Sequence, residues 1–258
     1  MTRPHERTAE VSFMPRVTAT DAARQGARIA VLPIGSFEQH GDHLPLATDT
    51  MVATLIAERV SERYGLLNLP PVAISCSHEH EGMPGLAGTV SVSPATLMAI
   101  VNDVRRSLQR AGIHNLVLVN AHGGNYTLSN LAQEANVESA AVALFPGNED
   151  WKAARATAGI VTGGRADMHA GELETSILMH AFPDSVGDTY ANNDHDSPSR
   201  NHLTTLGMKA YTTSGVIGMP SLATAAKGQA VIEALVDRFA GCLSLFDDDH
   251  PTRRAING

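Results

Sequence analysis

The chain has 258 residues, 43% hydrophobic and 18% charged, a balance that argues against disorder and supplies enough apolar material for a sizeable core in one domain over 1–258. A net charge of −8 excludes a general nucleic-acid or anionic-membrane binder, because no basic stripe is present to attract phosphate. Two lone cysteines, Cys76 and Cys242, make neither a disulfide framework nor a Cys-rich zinc site, and the polar N-terminus carries no apolar leader. Together with the lack of any bilayer-length apolar run, these features predict a cytoplasmic protein.

Residues 1–20 read as a peripheral tail. Ala27–Ile34 reads as a buried strand that runs into Gly35–Asp49, a fifteen-residue segment with five ionisable side chains, Glu38, His40, Asp42, His43 and Asp49. In an extended loop Glu38 and His40 project to the same side. Asp49 returns at the head of the next helix, expected to reach Tyr64, and can offer one oxygen to each of two ions. Imidazole and carboxylate together suit zinc, manganese or iron. On these residues alone, a surface Glu/His pair with Asp49 as a simple helix cap stays open. His43 is expected to support the loop by hydrogen bonding.

Leu66–Ser75 reads as a second strand, interrupted by Pro70-Pro71. The loop His78-Glu79-His80-Glu81 follows, with His78 placed at a substrate entrance and Glu79 and Glu81 expected in solvent. Ser93 and Pro94 start a helix that ends near Gly112. Asn115–Asn120 is the clearest buried strand and opens onto Ala121-His122-Gly123-Gly124-Asn125. Gly123 and Gly124 permit close backbone approach to a ligand, so both are expected to face substrate. A helix over Tyr126–Val137 and a strand over Ala140–Phe145 come next.

The segment His169–Ala181 reads as a helix on which His169 and Glu172, at i and i+3, face one centre. Glu174 lies about 200° round from Glu172 at ~100° per residue, so it is expected to point elsewhere and to orient His169 or a ligand histidine. Tyr190–Ser214 is polar and irregular, a candidate lid or oligomer contact, in which His195 and His202 read as surface residues. A last helix spans about Ala223–Leu245, and 248–258 reads as a second tail. Strands alternating with helices predict an α/β fold, a three-layer α/β/α sandwich with a mainly parallel sheet. Sites in such folds form beyond the carboxyl ends of the strands, where the loops Glu38–Asp49 and His122–Asn125 both lie. No dinucleotide or phosphate-binding glycine motif and no Gly-x-Ser-x-Gly elbow is present.

Residues Pro33–Asp49 closely resemble the signature of the creatininase family of amidohydrolases. Asn120–Asn125 and His169–Ser176 are similar to its second and third motifs, in the family's order, and the likeness runs from about Ala27 to Phe239. The resemblance implies a creatininase-like fold, two divalent metal ions per subunit and a homohexamer. It implies Glu38, His40, Asp49 and His122 as ligands, with Asp49 bridging. Creatininase itself has a metal-ligating Glu where this chain has Gly124, and an apolar residue where this chain has Glu172, which suggests that Glu172 takes over as ligand. The single tryptophan, Trp151, also sets the chain apart from creatininase. The Gly-Gly form looks more like branches acting on formamides, lactams or peptide bonds, including the mycofactocin-type peptidase.

The expected function is two-metal hydrolysis of a C–N amide bond in a small cyclic amide, lactam or formamide. It would use a hydroxide bridging two ions roughly 3.5 Å apart, zinc first, with manganese or iron as alternatives. His169 is expected to pass a proton to the leaving nitrogen, with Glu174 orienting it. The alternatives are a metallopeptidase trimming a small precursor peptide and, from a different class, a catalytically silent metal-binding scaffold.

Overall fold

A computed structural model describes residues 13–247. The first helix, α1 (Ala19–Gln25), is capped by Thr18, whose hydroxyl accepts from the Asp21 amide. The apolar run that follows forms β1 (Ile29–Ile34), buried along almost its whole length. Helix α2 (Thr48–Tyr64) follows the ionisable loop. Strand β2 covers only Leu67–Asn68 instead of the expected Leu66–Ser75. Pro70 and Pro71 carry no N–H for a ladder, so pairing resumes only at Val72, which bridges to Ile34.

Helix α3 (Pro94–Arg110) starts where Ser93 and Pro94 predict, with Ser93 Oγ accepting from the Thr96 amide at 3.2 Å. Strand β3 (Asn115–Asn120), α4 (Thr127–Ala135) and β4 (Val142–Phe145) match their expected places closely. Helix α5 (Asn148–Thr157) was not foreseen. Helix α6 (Glu172–Ala181) begins three residues later than expected, α7 (Leu203–Leu206) is one turn within the irregular 190–214 segment, and α8 (Ala225–Leu243) closes the described chain. The expected tails at 1–20 and 248–258 lie outside the described residues except for 13–20. No helix among the described residues is long and apolar enough to cross a membrane.

The four strands are parallel, in the order β2-β1-β3-β4. Alternate strand residues point to opposite faces. Val31, Val117 and Val119 pack with α2, α6 and α8, while Ala30, Leu32, Leu116 and Leu118 pack with α3 and α4. This is the three-layer α/β/α architecture. The register positions the site: β1 and β3 pair from Ile29↔Asn115 to Ile34↔Asn120, so they end level. The loops leaving Ile34 and Asn120 therefore emerge side by side on one rim of the sheet.

A candidate metal centre

Two contacts fold the ionisable loop back onto the head of α2. Ser36 Oγ donates to Asp49 Oδ2 at 2.7 Å, and Thr50 Oγ1 donates to the Ser36 carbonyl at 2.9 Å. A Cβ at Gly35 would overlap the Thr50 backbone, so only glycine permits this approach. Asp49 is thereby aimed into the site instead of capping its own helix, and α2 has no side-chain cap. Its Oδ1 lies 3.3 Å from His40 Nε2 and its Oδ2 lies 2.9 Å from His122 Nδ1. Each carboxylate oxygen thus faces a different histidine.

Backbone carbonyls fix both rings. His40 Nδ1 donates to the Glu38 carbonyl at 3.0 Å, and His122 Nε2 donates to the Cys76 carbonyl at 2.9 Å. The remaining ring nitrogens point at the carboxylates, the usual way in which the far nitrogen of a ligand histidine is held. Two sets of donor atoms lie close enough to grip one ion each: Glu38, Asp49 and His122, and His40, Asp49 and Glu174, within 4.8 Å of one another in each set. They share Asp49. Glu38, His40 and His169 form a third such set.

The charge pattern fits divalent cations. Glu38 is fully buried, and neither of its oxygens accepts a hydrogen bond. The nearest nitrogens, His80 Nε2 and His122 Nδ1, lie 3.3 Å from Oε1. An ionised carboxylate left in that state is costly unless a cation answers it. Burial disfavours a charged His122, but Glu38 and Asp49 outweigh burial and raise its pKa well above the usual value. Burial disfavours a charged His40, but the Asp49, Glu174 and Glu38 carboxylates outweigh burial and raise its pKa to about 9. Burial, with Asp49 adding repulsion, raises Glu174 to about 7.

The third motif departs from expectation. Glu172 is buried outside the centre, where its carboxylate accepts from the Val161 and Thr162 amides, from Thr162 Oγ1 at 2.6 Å and from Lys227 Nζ at 2.5 Å. The cause is the late start of α6. Asp167 accepts from the Glu172 and Leu173 amides at 2.6 and 3.0 Å and so sets the first turn there. His169 precedes the helix, and Ala170 has φ of 52°, so no i, i+3 relation links His169 to Glu172. Glu174 takes the inward direction, with Oε2 accepting from the Ala170 amide at 2.6 Å and lying 3.9 Å from His40 Nε2.

Burial raises the Glu172 pKa, but Lys227, Thr162 and Val161 outweigh it and hold the carboxyl below its usual range. A depressed folded pKa gives stability that is present above the unfolded value and is lost as pH falls through the folded one. The melting temperatures of wild type and Glu172→Gln should therefore differ most near neutrality and converge as pH falls below the ordinary carboxylate range. A gap that stays constant over that range would refute the assignment.

His169 Nε2 donates to the Gln39 carbonyl at 2.6 Å, leaving the Nδ1 lone pair 3.7 Å from Glu38 Oε1. Burial, with His40 and His80 beside it, keeps its pKa well below the usual value. The ring is therefore neutral at rest and must take a proton before it can give one. His78, expected near substrate, is exposed and pairs with Glu81 at 3.2 Å. His80 occupies the site instead, held by Gln39 Nε2 at 3.0 Å and pushed down to about 4 by burial.

Glu79, expected in solvent, turns inward, with Oε1 3.8 Å from His122 Nε2. A Cβ at Gly124 would overlap both of those atoms, so Glu79 fills the room that a side chain at 124 would need. Nothing in the spacing of the 78–81 loop separates His78 from His80 or predicts Glu79. His43 supports the loop as expected, with Nε2 3.1 Å from the Ala170 carbonyl, and this ties the first motif to the third.

Two cavities adjoin the cluster. One of about 650 Å³ extends from His169 and Glu174 to Trp151 and Arg155. One of about 160 Å³ is lined by Glu38, Asp49, Glu79, His80, His122, Gly123 and Gly124, among others.

The family model described as creatinine amidohydrolase matches residues 15–243. The chain belongs to the creatininase family. As such it is a hydrolase acting on carbon–nitrogen amide bonds. It is 33% identical over 238 residues to the mycofactocin precursor peptide peptidase of Mycolicibacterium smegmatis, covering 88% of each chain. It is 27% identical over 253 residues to the creatinine amidohydrolase of Pseudomonas putida, covering 90% of this chain and 92% of the other. A crystal structure of creatinine amidohydrolase superposes with a TM-score of 0.75 at 25% identity, covering 89% of this chain and 95% of that one. Within the creatininase family the Asp49-sharing pair of donor sets is the feature of this chain that bears on chemistry.

Proposed function

We propose that the chain is a two-metal amidohydrolase, with Glu38, Asp49 and His122 holding one divalent ion and His40, Asp49 and Glu174 the other. The observation that carries this reading is the buried Glu38 carboxylate, which accepts no hydrogen bond and is ringed by histidines, within a cluster whose two halves share Asp49. The N/O donor set suits zinc first, with manganese and iron as alternatives. Bound there, such ions supply Lewis-acid activation of an amide carbonyl and of water.

The chain's own groups supply proton transfer and placement. His169 Nδ1 accepts a proton from the attacking water and returns it to the leaving nitrogen. This is the order that its neutral resting state requires. Gly123 leaves open backbone for the substrate beside His122, while the space next to Gly124 is taken by Glu79. Cavity size favours a short peptide or similarly extended amide over a single-ring lactam or a formamide, since about 650 Å³ falls within the span of drug-sized ligand sites. The 33% identity to a peptide peptidase supports the same preference.

The test is to strip the protein with a chelator, reload it with zinc, manganese or iron, and screen lactams, formamides and short peptides. Turnover of peptides that vanishes on stripping and returns on reloading is expected. His169→Ala should keep its metal and lose roughly 10²–10⁴-fold in kcat. A fully loaded protein that cleaves none of the three classes would sink the proposal.

A further inference from the structure

The two cavities differ in chemistry as well as in size. Ala121, Gly123, Met168, His169 and Glu174 line both, so the cavities meet over the metal cluster. The larger has an apolar wall of Val52, Trp151, Ile160, Val161, Leu173 and Ile177. Its buried polar groups already have partners. Arg155 donates to Asp167 Oδ2 at 2.6 Å and to the Asp167 carbonyl at 3.1 Å, while Asp167 also accepts from the first amides of α6. Thr162 donates its amide and hydroxyl to Glu172. Of the charged groups on that wall, Lys152 stands out in solvent. A ligand entering this space therefore meets mainly apolar surface, with Asn148 and Lys152 at its exposed edge. The smaller cavity shares Glu38, Asp49 and His122 with the metal cluster, so only a compact group fits beside Glu79 there.

We propose that the substrate is an unsymmetrical amide, with a bulky apolar group against Trp151 in the larger cavity and a compact group beside Glu79 in the smaller. The scissile C–N bond lies at the junction of the two. The proposal rests on the amidohydrolase reading above. Water adds its hydroxyl to the carbonyl carbon and its proton to the nitrogen, so one acid and one amine leave, one from each cavity. Trp151 is then a specificity-determining residue.

Trp151 is also the chain's one tryptophan, so its fluorescence reports on the larger cavity without any turnover. The metal-reloaded full chain is assayed on Gly-Gly-amide, Gly-Phe-amide, Phe-Gly-amide and Phe-Phe-amide. One of the two mixed amides should be cleaved with kcat/KM roughly tenfold or more above the other three. Trp151→Ala should shrink that preference several-fold by raising KM, and Trp151→Phe should restore it. N-acetylphenylalaninamide should change the tryptophan emission of the wild type in a saturable way, and N-acetylglycinamide should not.

Equal rates on all four amides, a best rate on Phe-Phe-amide, or emission indifferent to the phenylalanine ligand would overturn the proposal. Failure to cleave any amide while metal is bound would instead strike the hydrolase reading, and the emission titration would still decide the cavity assignment.

Discussion

Replacing Asp49 by alanine is expected to empty both metal positions at once. Its two oxygens face His40 and His122 separately, and both donor sets depend on it. Metal analysis should fall from about two ions per chain to below one. Hydrolysis should fall by more than the roughly 10–100-fold typical of losing a partner that only supports a ligand. Loss of a single ligand on one side, as in Glu38→Ala, should leave the His40 and Glu174 side partly loaded. An Asp49→Ala protein that keeps two ions and full turnover would show that the shared carboxylate is not the centre of the site.

The second large effect separates two carboxylates only two residues apart. Glu174→Ala should lose metal and activity with a smaller loss of stability, because its carboxylate faces the cluster and its removal strands only the Ala170 amide. Glu172→Ala should do the reverse. It would leave Lys227 Nζ, two backbone amides and the Thr162 hydroxyl without their acceptor. The destabilisation expected is about 3 kcal/mol, the low end for breaking a buried pair, because Lys227 keeps some contact with water. For a chain of this size that corresponds to a fall of about 6–12 °C in Tm. Thermal unfolding and metal content, measured on both variants, check the pair. If Glu172→Ala emptied a metal position while Glu174→Ala did not, the assignment would be reversed.

The different places of these two glutamates show why the first motif's residues gather as expected while those of the third do not. Glu38, His40 and Asp49 follow a strand whose apolar run sets its own end, and the His122 strand ends in the same way. Parallel pairing of two internal strands then brings both loops to one rim, so the register repeats what the sequence pattern already implied. In the third motif the side-chain directions differ from those expected, with Glu174 and not Glu172 turned towards the cluster. The expected helix from His169 fixes its angle to Glu172, but His169 and Ala170 lie before the helix and Ala170 has φ of 52°, so that angular relation is never formed.

The 78–81 loop failed for another reason. His78 and His80 have near-identical local sequence, and only burial against Gln39 and Glu38 distinguishes them. Helix α5 was missed although it carries Trp151 and Arg155, two residues of the larger cavity.

By itself, then, the sequence determined the α/β layering, the strands that present the site and the four residues Glu38, His40, Asp49 and His122 that gather there. The layering follows from local apolar runs, and the four residues from two strand-end loops together with the resemblance to the creatininase motifs. Only the tertiary structure decided that Glu174 and not Glu172 faces the cluster, that His80 replaces His78, and that Glu79 fills the gap at Gly124. Each of those choices turns on a partner far away in the chain. Lys227 draws Glu172 outward, Gln39 holds His80 inward, and the missing side chain at 124 makes room for Glu79. Side-chain direction is set by such long-range contacts, which spacing along the chain does not encode.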